Sequence, residues 1–473
     1  MVIRCLLSTI LFFGAYASAF PYQHDYDWVT QYLGDYSPYP GSAGPIPTTD
    51  PITTQYNVKQ LHVFLRHGTR YPESYNTDGI DSVVQKLYYA TNKTSIPWID
   101  EYVNEYKSEN TFRLDTTGVL ELYEHGERMV TSYPDLVKAA ISFNDTTNQS
   151  QINEVFQSYV SPTPRTRHSA IAFHRGLFKD VSKEKTSQTL LGQYVKRFIP
   201  NQGHIDEKYD AMNAEQCDET LHDPGNSRMQ KKKQCFDRFG ADAVKRLTQQ
   251  LGGNWTPQDV EYVYYGCAFD ASLHQRTDTF CSLLTSQEIE TFYYCSDLRY
   301  YYVLGYGNRL KESIVCDLMR DTLDNIIQKQ NKIITRVSHD TMIEGLAMLF
   351  ELFKDPSPLQ PDWSMEQIKH RKFQSTKLMP FGANMVLQVL TGKNVDEEEQ
   401  EENNNSSSAQ RWVRFLLHEH PIILPGCQNE VCPLDDFIPW MQKRLENCPS
   451  YHDACASVPQ VTEAPKGPMS SLD

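Results

Sequence analysis

The stretch whose reading decides the fold is Asn57-Val58-Lys59-Gln60-Leu61-His62-Val63-Phe64-Leu65-Arg66-His67-Gly68-Thr69-Arg70-Tyr71-Pro72. Its first nine residues alternate and then run apolar, as a strand entering a buried sheet does. The next residues break that pattern with two guanidiniums, an imidazole, a glycine and a proline. Open α/β sheets place ligands at the carboxyl ends of their strands, so Arg66, His67 and Arg70 stand where chemistry is done. Arg presents a planar fork suited to phosphate oxygens. Cations packed around His67 lower its proton affinity and keep the ring neutral, as a nucleophilic nitrogen requires. Gly68 is expected to let the backbone turn beneath a bound group, and Pro72 to stiffen the exit. The competing reading is a solvated basic turn, but R-H-G-x-R-x-P arises by chance in a chain of this length roughly once in ten thousand at average residue usage.

Outward from that strand, further strand-like runs occur at 152–160, 332–337, 385–390 and 412–417. Helical periodicity fills about 80–135, 165–250 and 285–330, and an apolar helix is expected over 342–353. Residues 20–55, rich in Tyr, Pro, Gly and Ser, read as an extended arm. Strands separated by helical stretches predict an α/β domain, and the long helical blocks predict an inserted helical subdomain. The acidic, Asn/Ser-rich stretch 396–408 between two strand runs reads as a long β-connection.

The chain has 473 residues, 45 Lys and Arg against 60 Asp and Glu, and a formal net charge of −15. With 40% hydrophobic and 12% aromatic residues it can bury a large core, which excludes whole-chain disorder. The acidic balance excludes a broad nucleic-acid surface. One early cation, the apolar run 5–15 and Ala17-Ser18-Ala19 are the parts of a secretory signal peptide over 1–19; the run is shorter than the ~20 residues a membrane span needs. Removing that segment takes Cys5 with it and leaves an even cysteine set, as disulfides in an oxidising compartment require. Cys267–Cys281 and Cys427–Cys432 are the local pairs expected first. Sequons stand at Asn92, Asn144, Asn148, Asn254, Asn404 and Asn405.

Two more elements carry chemistry. Ser338-His339-Asp340 closes the strand at 332–337. Asp is also a favoured helix N-cap, so the pair is ambiguous alone. Beside an Arg/His phosphate site it gains a role: a carboxylic acid at the leaving oxygen supplies the proton an alkoxide needs, and His339 is a further donor to phosphoryl oxygens. Arg165 follows the strand at 152–160 closely and is expected to face inward, with Arg167 on the surface. His418-Glu419-His420 is not a zinc motif, and is expected on a strand. Lys231-Lys232-Lys233 is expected to be a solvated surface. Leu349-Phe350 reads as core.

Residues 58–72 resemble the signature of the histidine acid phosphatases, a secreted branch of the phosphoglycerate-mutase-like superfamily. Ser338-His339-Asp340 is similar to that family's second signature. Arg165-x-x-x-Ser169-Ala170-x-x-Phe173-x-x-Gly176 is similar to the segment supplying its third phosphate-binding Arg. The likeness extends through Gly118 and Gly126, Met379-Pro380-Phe381-Gly382-Ala383, and 411–434, covering about 56 to 440, with secreted fungal acid phosphatases nearest. It implies an α/β/α sandwich with an inserted, mainly helical smaller subdomain: one domain over 20–473 with helical insertions at roughly 80–135 and 175–290. It further implies His67 as a nucleophile forming phosphohistidine and Asp340 as proton donor. Arg66, Arg70, Arg165 and His339 would hold the phosphoryl oxygens. Neither metal nor cofactor is expected, because the Arg/His cluster supplies the charge stabilisation.

The implied partner is a small-molecule phosphomonoester, with no nucleic acid and no membrane span; homo-oligomerisation stays open. The implied location is outside the cytoplasm, whether extracellular, periplasmic or in the cell wall. Two departures from the family stand out. Many relatives carry Arg where this chain has Asn384. Several phytate-degrading relatives carry Lys shortly after the first signature, where this chain has Glu73-Ser74-Tyr75-Asn76-Thr77-Asp78. Carboxylates there favour a broad acid phosphatase over a phytase or inositol polyphosphate phosphatase. A phosphoryl-transferring mutase would share the same superfamily site, but the signal segment and sequons argue against it. A non-catalytic cell-wall protein on the same fold would be free to lose site residues, and the intact Arg66, His67, Arg70 and Asp340 set argues against that.

Overall fold

A computed structural model describes residues 21–141, 154–179, 227–328, 332–393, 410–451 and 453–454. Its framework is a seven-stranded sheet of β1 (Tyr56–Arg66), β2 (Phe156–Val160), β3 (Lys332–Ser338), β4 (Asn384–Gly392), β5 (Arg411–Leu417), β6 (His420–Ile422) and β7 (Val431–Pro433). The order is β2-β3-β1-β4-β5-β6, with β7 also on β5. β2, β3 and β1 run parallel, whereas β4 and β5 are antiparallel to their neighbours. Parallel strands need crossover connections, and helices supply them.

The longer helices among the described residues are α1 (Ser74–Tyr88), α2 (Thr116–Ser132), α3 (Pro134–Ile141), α4 (Pro164–Leu177), α5 (Ser227–Phe239), α6 (Ala241–Leu251), α7 (Pro257–His274), α8 (Ser286–Val303), α9 (Cys316–Ile327), α10 (Asp340–Leu349) and α11 (Leu434–Glu446). Alternation along β1 sends Leu61, Val63 and Leu65 to one face, where Leu122, Val137 and Phe173 cover them. Phe64 points to the other face, in the cluster that includes Ile343 and Leu346 of the helix packed on β1. A sheet buried on both faces makes the three-layer α/β/α sandwich, as expected.

Helices α5 to α8 form the helical region beside the sandwich. Capping boxes start α7 at Thr256 and α8 at Thr285, and Cys235–Cys295 ties α5 to α8. Both anticipated local disulfides, Cys267–Cys281 and Cys427–Cys432, are present, joined by Cys316–Cys448. The signal segment 1–19, four sequons (Asn144, Asn148, Asn404, Asn405), Cys217, Cys455 and the acidic stretch lie outside the described residues. Asn92 and Asn254 are exposed.

Several expectations need correction. The 20–55 arm is not simply extended: it coils through short helical turns, and Asp35, Tyr36 and Ser37 are wholly buried. Between α1 and α2 the chain forms short 3-10 turns rather than one helical block. His418 and Glu419 are not on a strand. They form a two-residue turn between β5 and β6, both left-handed, at φ 49° and 65°. Lys232 is not solvated: its ammonium is 2.6 Å from Glu261 and lies against the Tyr265 ring.

Candidate active site

The register pairs Arg66 with Ser338 and Val160 with Val337, so three parallel strands end side by side. Arg66 and His67 leave β1, His339 and Asp340 leave β3, and Arg165 opens α4 just after β2. Sequence-distant groups meet because parallel strands share one carboxyl edge. The His67 N–H donates to Ser338 O at 2.9 Å, and Gly382 N–H to His67 O at 3.0 Å, which fixes the His67 backbone from β3 on one side and from the turn before β4 on the other.

His67 Nδ1 lies 3.0 Å from its neighbour's carbonyl, Gly68 O. A carbonyl only accepts, so Nδ1 carries the proton and Nε2 keeps its lone pair. Burial first, then Arg66, Arg70 and Arg165, holds the imidazole well below its usual pKa. The ring therefore resists protonation. His339, 5.5 Å away between ring centroids, has the opposite tautomer. Arg165 Nη2 donates to its Nδ1 at 3.3 Å, which leaves the proton on Nε2, a buried atom with no hydrogen-bond partner. Burial and Arg165 lower the His339 pKa to about 3.

Arg66 is wholly buried. Its Nη1 donates to Asp35 O and Met379 O, each at 2.5 Å, and its Nη2 to Asp35 Oδ2 at 3.2 Å. The same Nη2 lies 3.5 Å from Asp340 Oδ2. Arg70 is paired with Glu73. The Nε atoms of both arginines are buried without hydrogen-bond partners. Phe112 stacks under Arg70 at 5.3 Å and Arg165 at 5.1 Å, and Phe381 under Arg66 at 4.8 Å. These rings set the guanidinium planes without consuming their donors.

Asp340 is the first residue of α10, with His339 at the N-cap position. Oδ1 accepts from Thr341 N at 2.8 Å, so the helix-terminus reading is partly right, while Oδ2 faces Arg66. Burial acts to raise its pKa, but Arg66 and His339 outweigh it, and the net shift is downward. Gly68 has a different reason from the one expected. A Cβ there would lie 2.3 Å from Gly118 O, and one on Gly118 would lie 2.3 Å from Thr69 O. The two glycines let α2 touch the turn after β1 backbone to backbone.

All six residues picked from the sequence thus meet at one strand edge. Arg165 rather than Arg167 reaches it. Sequence reasoning gave no role at the site to Asp35, Phe112 or Phe381, and it misjudged Glu73. Phe381 falls within a family motif, whereas the others lie in loops whose packing no periodicity reveals. Glu73 does not meet substrate as a free carboxylate, against expectation. Instead it accepts from Arg70 and from Asn76 Nδ2 at 3.0 Å. Asn384 is buried and donates to Tyr39 OH at 3.0 Å.

The family model of the histidine phosphatase superfamily (branch 2) matches residues 57–418. The phytase PHO112 of Candida albicans is 21% identical over 433 residues, spanning 88% of this chain and 85% of its own. The thiamine-repressible acid phosphatase pho4 of Schizosaccharomyces pombe is 24% identical, spanning 70% and 72%. The crystal structure of a phytase from D. castellii superposes with a TM-score of 0.70 at 20% identity, covering 92% of this chain and 89% of that one.

Proposed function

The chain belongs to the histidine phosphatase superfamily (branch 2), and from that premise we propose that it is a secreted acid phosphatase working through a phosphohistidine on His67. The observation that carries this reading is the His67 tautomer: Nδ1 is tied to Gly68 O, and Nε2 is left as a lone pair among three arginines.

In this mechanism Arg66, Arg70, Arg165 and His339 Nε2 hold the phosphoryl oxygens. His67 Nε2 attacks phosphorus, the P–O ester bond breaks, and the leaving oxygen takes the Asp340 proton. Water then attacks phosphorus, the P–N bond breaks with its electron pair returning to His67 Nε2, Asp340 takes a proton from the water, and inorganic phosphate leaves. Without ligand, Arg66 holds Asp340 ionised. A phosphoryl dianion on Arg66 cancels that field and raises the carboxyl's proton affinity when a donor is needed. Burial and the three arginines lower the His67 proton affinity, so acid that supplies the Asp340 proton competes less for the attacking nitrogen.

An extracellular location is supported by four disulfides among the described residues and by exposed sequons at Asn92 and Asn254. The test is phosphate release from p-nitrophenyl phosphate at pH 5 by wild type and His67→Ala; equal rates would remove the nucleophile assignment. A second reading is phosphate release from inositol polyphosphates, to which Glu73 no longer stands as an objection. Paired with Arg70, it meets a polyanion as half of an ion pair. Comparing kcat/KM for phytate and for a simple sugar phosphate separates the two.

A further inference from the structure

The buried Asp35, in the 20–55 arm that straps across the site, has no part in the chemistry above, yet its carboxyl sits on Arg66. Its side chain is wholly buried, and its Oδ2 shares Arg66 Nη2 with Asp340. One nitrogen thus serves two carboxyls, and Arg66 Nε remains for a ligand. A phosphoryl dianion arriving there adds a third anion to one guanidinium, which is itself wholly buried. Like charges so close cannot all persist.

We propose that Asp35 is a positioning residue that governs anion affinity through Arg66: ionised, it competes with the bound phosphoryl group; protonated, it leaves the guanidinium to it. The inference rests on the reading that this pocket holds phosphoryl groups. The groups facing Asp35 come from every element packed around it. Arg66 stands on β1, Asp340 on α10, Tyr300 on α8, and Glu73 just before α1. Its charge is also felt by Arg70, by Tyr36 beside it, by Tyr75 on α1 and by Tyr264 on α7. Burial outweighs Arg66, and with Asp340 and Glu73 adding repulsion the carboxyl is pushed up to about 7. Asp35 is therefore neutral in acid and gains its charge as pH passes about 7. Tight anion binding is thereby confined to the acidic side.

Sulfate is the probe, because it stays a dianion throughout the range and its own titration adds no slope. Wild-type sulfate affinity, measured by calorimetry and by competitive inhibition of p-nitrophenyl phosphate hydrolysis, is expected to fall by about 5-fold or more between pH 5 and 8. Asp35→Asn should flatten that fall, with the pH dependence leaving KM rather than kcat. An Asp35→Asn protein that keeps the wild-type slope overturns the proposal. Should that variant fail to fold, calorimetry of Asp340→Asn, which removes the other carboxyl on Arg66, at pH 7 in buffers of different ionisation enthalpy decides: proton uptake on sulfate binding is expected, and zero uptake overturns it. Arg165→Ala separates the pocket reading from the Asp35 proposal. If it leaves sulfate binding unchanged, the anion sits elsewhere and the pocket reading falls, taking this proposal with it. If it weakens binding while the wild-type slope is absent, only the Asp35 proposal falls.

Discussion

Two buried polar clusters flank the turn after β1, and they are built alike but end differently. On one side lie His67, His339, the three arginines and Asp340. On the other lie Glu121, Tyr39, Asn384, His418, Glu419 and Arg128. Both bury charges, both contain a histidine driven far from its usual proton affinity, and both draw on the 25–50 strap. In the second cluster the charged groups are matched. Glu121 accepts from Thr69 N at 2.8 Å, Thr69 Oγ1 at 2.7 Å and Tyr39 N at 3.0 Å. Glu419 takes Arg128 in a fork at 2.9 and 2.8 Å and the Tyr39 hydroxyl at 2.7 Å. In the first cluster, Arg66 Nε, Arg70 Nε and His339 Nε2 are buried without partners. Burying donors unmatched costs stability, and a site that must bind an anion accepts that cost. A perturbed pKa does not separate the two: His418 is lowered to about 4 by burial in the matched cluster. What separates them is the surplus of donors.

If that contrast is right, substitutions in the first cluster remove activity at nearly constant stability, and those in the second do the reverse. The largest effect is expected for His67→Ala, a loss of roughly 10⁴- to 10⁶-fold in kcat with an unchanged melting temperature. Asp340→Asn should slow alkyl phosphomonoesters by about 10²- to 10⁴-fold and spare activated aryl esters, which leave without a proton; equal slowing of both removes Asp340 as the acid. In the matched cluster, Glu419→Ala should lower unfolding free energy by about 1–3 kcal/mol while kcat moves little. Its denaturant midpoint and its kcat, read together, test the division most plainly.

The smallest effect concerns pH. Burial outweighs the bonds from Thr69 and raises the Glu121 pKa to about 7. A carboxyl raised on folding binds its proton more tightly in the folded state. Its stabilisation is full below the ordinary carboxyl range and is lost as pH rises through about 7. Glu121→Gln should therefore flatten the decline in melting temperature between pH 5 and 7.5; an unchanged slope would mean that Glu121 is ionised throughout.

The contrast also explains what was legible in the sequence. Strands declare themselves through alternation, so β1, β3, β4 and β5 were readable nearly to the residue. Arg66, His67, Arg70, His339 and Asp340 sit directly at strand ends and came with them. The matched cluster left no such trace. Tyr39 and Asp35 lie in a Pro/Gly-rich arm whose burial depends on where it docks, and Glu121 looks like any helix-surface acid. The left-handed pair His418-Glu419 carries no glycine to announce a turn, because Arg128, Tyr39 and the Lys377 carbonyl hold it in place. Gly68 showed the converse: the residue was noticed, but its reason, contact with Gly118, lies in a helix 50 residues away.

The central claim is that His67 Nε2 carries the phosphoryl group between substrate and water. Mixing enzyme with excess p-nitrophenyl phosphate, quenching in base to preserve phosphohistidine, and mapping peptides by mass tests it directly. The account predicts one added phosphoryl group on the peptide containing His67, absent in His67→Ala. Steady turnover with that peptide unmodified, or with the phosphoryl group on another residue, would contradict it.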